Sequence, residues 1–65
     1  MTECRFLLMG NRLGLEVLYN GEWKYDRTYK IDKRFRQGIV NDMKFANFVP
    51  NKQTLHSFPW LKEHF

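Results

Sequence analysis

The segment around Gly10-Asn11 constrains this chain most, because the dipeptide is a two-residue hairpin signal with matching flanks. Antiparallel pairing across the turn brings apolar side chains together on one face and an arginine–glutamate pair on the other. A slip of one residue would exchange the two faces, so the flanks specify a single register. The predicted opposite pairs are Cys4 with Val17, Arg5 with Glu16, Phe6 with Leu15, Leu8 with Leu13 and Met9 with Arg12.

A second turn is predicted at Asn20-Gly21. A two-residue loop there would set Val17 opposite a lysine and mix apolar with charged side chains. A three-residue loop or a bulge sets Val17 opposite Tyr25 instead, and this is the register we expect. It also places Arg27 opposite Leu15 on the inner face, where an arginine is expected to extend toward water.

The apolar face of these strands is predicted to form the core. Phe6 and Tyr25 are both expected there, and replacing either by alanine is expected to cost about 3–5 kcal/mol. Cys4 alternates with Phe6 and Leu8 along the first strand. Its thiol is therefore predicted to be buried and unreactive.

The segment after the third strand supports two interpretations. In the favoured one, residues 34–40 form a fourth antiparallel strand, and Asn41 then caps a helix that ends before Pro50. In the other, Asp32 caps one helix over residues 33–49, with an apolar stripe of helical period. Gly38 and the β-branched pair after it count against the longer helix.

The tail predicts a polar connection at residues 50–54 and a short helix from Ser57, with Pro59 in its first turn. The predicted fold class is α+β: a small antiparallel meander of three or four strands, one helix on its inner face and a short C-terminal helix. Because turn signals recur about every ten residues, an all-β SH3-like barrel is the alternative.

Length and composition predict a single small domain over residues 1–65. A chain of this size buries only about 60% of its unfolded surface and needs an additional source of stability. One cysteine excludes an internal disulfide, whereas six Phe, three Tyr and two Trp point to an aromatic core. The lone cysteine suits a reducing compartment, and no stretch approaches the roughly 20 apolar residues of a membrane span. A cytoplasmic protein is expected.

Positive charge is concentrated between Trp23 and Ile39. This segment contains six basic and only two acidic residues, and the difference equals the net charge of +4 of the whole chain. Such a surplus favours nucleic acid or an acidic protein surface as the partner. Four of the cations, Lys24, Lys30, Arg34 and Arg36, are predicted to project from one side of adjacent strands, where they could neutralise phosphates and Thr28 could donate a hydrogen bond. A merely solvated strand face is the alternative. The predicted binding residues are Lys24, Arg27, Thr28, Lys30, Lys33, Arg34 and Arg36.

Part of this region resembles the arm-binding domain of tyrosine-type phage integrases, a DNA-binding module. The family pattern is G-x-W-x-Y, a basic strand, and then G-F-x-T before a helix. Residues 21–25 read GEWKY and residues 38–41 read GIVN. The chain departs from the pattern at Ile39, where the family has an aromatic residue, and at Asn41, where it has a threonine cap.

A second function hypothesis rests on apolar residues of the outer face. Leu7, Met9 and Leu18 are predicted to lie there side by side. If they are uncovered, they form with Trp60 a patch suited to a protein partner; docking of the C-terminal tail would instead cover them. The corresponding function is a small modulator or inhibitor, of phage or mobile-element type, that binds a host protein.

Catalysis and metal binding are not expected. Cys4, His56 and His64 lack any zinc-type spacing, and no phosphate-binding glycine loop is present. No catalytic residue, metal or cofactor is therefore predicted. The sequence favours a small non-catalytic binding protein that contacts nucleic acid through a basic sheet face, and it leaves the oligomeric state open.

Overall fold

An open mixed sheet with helices on one face forms the fold in the computed structural model, which describes residues 1–65. Its elements are β1 (Thr2–Met9), β2 (Arg12–Tyr19), β3 (Glu22–Lys30), a 3-10 turn (Lys33–Phe35), α1 (Arg36–Phe45), β4 (Phe48–Pro50), α2 (Lys52–Ser57) and a 3-10 helix (Pro59–Glu63). The strand order is β3-β2-β1-β4, and β4 runs parallel to β1. The α+β class is confirmed. β1, β2 and β3 form an antiparallel meander as predicted. A purely antiparallel sheet is wrong because β4 is parallel, and the SH3-like barrel is wrong because the sheet does not close.

The first hairpin has the predicted register at every pair. Gly10 takes a positive φ of 64° in the two-residue turn, a conformation that glycine adopts without strain. Arg5 and Glu16 form the expected ion pair at 2.8 Å on the outer face. Leu8 is the exception to the predicted core, since it lies next to the turn and is 70% exposed.

The second hairpin departs from the prediction near its turn. Asn20 and Gly21 both have positive φ, 49° and 80°, as a two-residue type I′ loop requires. Val17 therefore pairs with Lys24, and the expected pairing of Val17 with Tyr25 is wrong. The local preference of Asn-Gly for this tight turn outweighs the matching of faces beside it.

A bulge restores the predicted register further along β3. The shift falls between Leu15 and Glu16, so Glu16 faces Tyr25 on one side of it, whereas Leu15 faces Arg27 on the other, as expected. Because opposite residues share a face, Tyr25 projects from the outer side and is 60% exposed. Tyr25 is thus not a core residue. One extra residue is needed to bring the apolar faces of β2 and β3 into register. It lies in β3 as a bulge and not in the loop at Asn20-Gly21.

Residues 34–40 form the start of a helical segment and not a fourth strand. Asp32 caps it as in the second interpretation, accepting a hydrogen bond from the backbone N–H of Arg34 at 2.9 Å. The helix ends at Phe45, short of the expected Val49, and Asn47 then takes the left-handed conformation, with φ 63°, that often follows a helix.

Burial explains why the helix forms despite its poor interior residues. Ile39, Val40 and Met43 all point into the core, at helical spacing. Placed in the sheet as a strand, this segment could not cover the inner faces of β1 and β2. The single core consists of Cys4, Phe6, Leu13, Leu15, Ile39, Val40, Met43 and Leu61.

Gly38 offers a direct test of this helix. It lies in the interior of α1, is exposed, and a Cβ built on it meets no atom within 4 Å. We therefore expect Gly38→Ala to raise the free energy of unfolding by about 0.5–1 kcal/mol, because alanine restricts the unfolded chain and favours a helix. Chemical denaturation measures the change. Destabilisation by alanine would indicate that residues 36–40 are not helical in solution.

The C-terminal part differs from the prediction in two places. The expected polar connection at residues 50–54 contains the start of α2, which Asn51 caps by accepting a hydrogen bond from the N–H of Thr54 at 2.8 Å. Pro59 opens a 3-10 helix as its first residue, but Ser57 ends α2 and does not cap that helix. None of the helices has the length and apolarity needed to cross a membrane.

Candidate nucleic-acid interface

Basic side chains collect at one end of the sheet, where β2 begins and β3 leads into the helical segment. Two neighbouring clefts open there, and Lys30, Ile31 and Asp32 line both of them. The other cations of this region line one cleft or the other. We call this region the basic end and define it by Arg12, Lys30, Lys33, Arg34 and Arg36.

Arg12 and Lys30 carry like charges at directly opposite positions of β2 and β3. Such a pair destabilises a sheet unless another group offsets the repulsion. Neither side chain takes part in any of the ion pairs of the structure. A bound anion would relieve this repulsion. Sequence reasoning missed Arg12, although the predicted pairing of Leu15 with Arg27 already sets Arg12 opposite Lys30.

The start of the helical segment adds positive charge. Asp32 is the one acidic residue lining the clefts, and it pairs with Arg34 at 3.0 Å. Hydrogen bonds from the side chain and backbone of Arg34 lower the pKa of Asp32, so this carboxylate stays ionised and occupied by Arg34 at neutral pH. Neither the 3-10 turn nor α1 has an acidic residue in its first turn, and Lys33 and Arg36 form no ion pair. Their charge is not compensated within the protein.

Aromatic rings accompany the cations. The guanidinium of Arg36 lies 5.1 Å from the ring centroid of Trp60, and that of Arg34 lies 5.7 Å from the centroid of Phe35. Both distances are within the range of cation–π attraction. Ile31, which precedes them in the chain, is half exposed. The basic end is therefore a mixed surface of cations and apolar groups.

Lys24 and Thr28 do not belong to the basic end. Lys24 lies near the opposite end of β3, with its ammonium group 5.5 Å from the ring centroid of Tyr19. It projects from the inner side, whereas Lys30 projects from the outer side. Thr28 is on the outer side, where its hydroxyl is hydrogen-bonded to that of Tyr25. The single basic face expected on adjacent strands does not exist, because a bulge and a helix separate its members.

Arg27 is held by acidic groups of the inner edge. Its side chain contacts Asp26 at 2.5 Å and Asp42 of α1 at 3.7 Å. The hydrogen bond to Asp26 is the main reason that the pKa of Arg27 is raised. Tyr29 donates a hydrogen bond to the same Asp42 at 3.2 Å, and burial raises the pKa of its hydroxyl to about 12. Arg27 thus links β3 to α1 and offers no free charge.

The outer sheet face is not covered by the C-terminal tail. Leu7 and Met9 are 41% and 49% exposed, and Leu18 is half buried beside Trp23. Arg5 stacks over Trp23, its guanidinium carbon 4.2 Å from the ring centroid. Trp60 packs against the core on the other side of the sheet, so it does not belong to the predicted patch.

Cys4 is fully buried, as predicted. Burial, followed by the charge of Glu3, raises the pKa of its thiol to about 12, which disfavours the reactive thiolate. His, Cys, Asp and Glu side chains nowhere converge in groups of three suited to hold a metal ion.

No protein-family model, curated protein or solved structure matches this chain. The resemblance to the integrase arm-binding pattern is limited to the hairpin around Gly21. Residues 38–41, which should precede a helix in that pattern, lie within α1. The functional argument therefore depends on the chemistry of the basic end.

Proposed function

We propose that this chain is a small non-catalytic protein that binds nucleic acid through its basic end. The observation that supports the proposal is a group of four cations there that form no ion pair: Arg12, Lys30, Lys33 and Arg36. A single carboxylate, Asp32, lies among these cations, so much of their mutual repulsion remains, and a row of phosphates would offset it. Two of the four, Lys33 and Arg36, belong to the start of the helical segment, which takes the place of the predicted basic strand.

The salt dependence of binding tests this proposal. Four phosphates neutralised on duplex DNA predict that the logarithm of the binding constant falls by about 3.6 for each tenfold rise in salt, and by about 2.8 on a single strand. Fluorescence anisotropy of a labelled oligonucleotide, titrated with the chain at several salt concentrations, measures the slope. A slope near zero, or no binding at low salt, would contradict the proposal.

A second candidate function is binding of another protein, as a small modulator of phage or mobile-element type. The uncovered outer face favours it, since Leu7 and Met9 are exposed there and Leu18 lies half buried beside Trp23, toward the other end of the strands. Exposed apolar patches mark protein-interaction surfaces. An interface of this kind depends less on salt than phosphate binding does, so the same titration with a protein partner separates the two functions.

A further inference from the structure

The larger of the two clefts at the basic end combines two kinds of surface. It has a volume of about 500 Å³ and opens between the β3–α1 connection and the segment around Trp60. Lys30, Lys33 and Arg36 line it together with the aromatic residues Phe58 and Trp60, and the guanidinium of Arg36 lies over the Trp60 ring. This volume is within the range of roughly 300–1,000 Å³ typical of small-ligand sites.

The lining defines the chemistry of a ligand. Three cations require negative charge, because Asp32, the acidic residue of the cleft, is already paired with Arg34. Trp60 and the guanidinium of Arg36 present planar groups, on which nucleobases stack in known complexes. A ligand that matches both the cations and the planar groups has a flat aromatic ring system attached to phosphate. A nucleotide unit has this composition.

The accessibility of the bases distinguishes single-stranded from double-stranded nucleic acid as the ligand. In a duplex the bases are paired and stacked, and moving one into a pocket requires breaking its pairing and stacking. In a single strand the bases are free to enter. Building on the proposed function, we propose that the chain binds single-stranded nucleic acid, with one base in this cleft against Trp60 and the flanking phosphates on Lys30 and Lys33.

Tryptophan fluorescence can report on this cleft alone. The chain has two tryptophans, and Trp23 lies on the outer sheet face beside the distant Asn20-Gly21 turn. In the variant Trp23→Phe, Trp60 is therefore the remaining tryptophan. We expect an oligothymidylate of about ten nucleotides to quench its emission and to bind at least about tenfold more tightly than two controls. The controls are a duplex of the same length and an abasic strand with the same number of phosphates.

The three ligands separate the possible outcomes. Equal affinity for all three, with unchanged Trp60 emission, would overturn the base site and leave phosphate binding by the basic end intact. Failure of all three to bind at low salt would instead overturn the proposed function itself. Tighter binding of the duplex would contradict the selection of a single strand.

Two substitutions distinguish the contacts made to the base from those made to the phosphates. Trp60→Leu is expected to weaken binding of the thymidylate by about 5- to 150-fold and to leave the abasic strand unaffected. Lys33→Gln is expected to weaken both by the same factor. An equal effect of Trp60→Leu on the two ligands would contradict stacking. Because Trp60 also packs against the core, circular dichroism must show the variant folded; if it is not, the emission of Trp60 in Trp23→Phe decides.

Discussion

Replacing Lys30 and Lys33 together by glutamate is expected to abolish nucleic-acid binding and to make the protein more stable. Each phosphate contact contributes about 0.9 logarithmic units to duplex binding at roughly 0.1 M salt, relative to 1 M. Loss of two contacts, with repulsion added, predicts at least an approximately 50-fold loss of affinity. Both side chains are exposed and neither forms an ion pair, so no native contact of this kind is lost.

The gain in stability follows from the surroundings of the two lysines. A carboxylate at position 30 faces Arg12 across the sheet and replaces a repulsive pair by an attractive one, worth about 0.2–1 kcal/mol. A carboxylate at position 33 lies in the first turn of the helical segment, where negative charge contributes about 0.3–1 kcal/mol. Thermal unfolding measured by circular dichroism should therefore show a higher Tm.

A matched control exists on other elements. Lys44 and Lys52 are exposed, form no ion pair and line neither cleft of the basic end. Changing both to glutamate alters the net charge by the same amount, and we expect at most a few-fold loss of affinity. If this control loses as much affinity as the test variant, binding depends on overall charge and not on the basic end.

Phe6→Ala is expected to cost about 3–5 kcal/mol of unfolding free energy, whereas Tyr25→Ala should cost less than about 1 kcal/mol. Phe6 is 7% exposed, with its ring edge-to-face against Phe58 at 5.3 Å and Tyr29 at 6.4 Å between centroids. Tyr25 is 60% exposed and has no comparable aromatic contact. A chain of this length is stabilised by only about 3–10 kcal/mol in total, so Phe6→Ala removes much of it.

Urea denaturation of the two variants measures these costs. The comparison also tests the β2–β3 register, because a three-residue loop would bury Tyr25 beside Val17. A large cost for Tyr25→Ala would support that register and contradict the bulge between Leu15 and Glu16. A small cost for Phe6→Ala would contradict the core itself.

The sequence by itself determined the first hairpin. Its turn and both of its faces require the same register, so local and cross-strand preferences agree, and no distant contact was needed to choose it. Phe6, Leu15 and Cys4 follow directly as core residues. The concentration of charge after Trp23 was also evident, since it depends only on counting, and it supplied four of the five cations of the basic end.

The tertiary structure alone decided the form of the chain between Asp32 and Phe45. Residues 34–40 alternate as a strand would, whereas Phe35, Ile39 and Met43 have helical spacing, so local preferences do not discriminate. The inner face of β1 and β2 decides between them, because its apolar side chains need a cover that another strand at the sheet edge cannot supply. That choice moved Arg34 and Arg36 out of the sheet: Arg36 now lies over Trp60 in one cleft, and Arg34 lines the other.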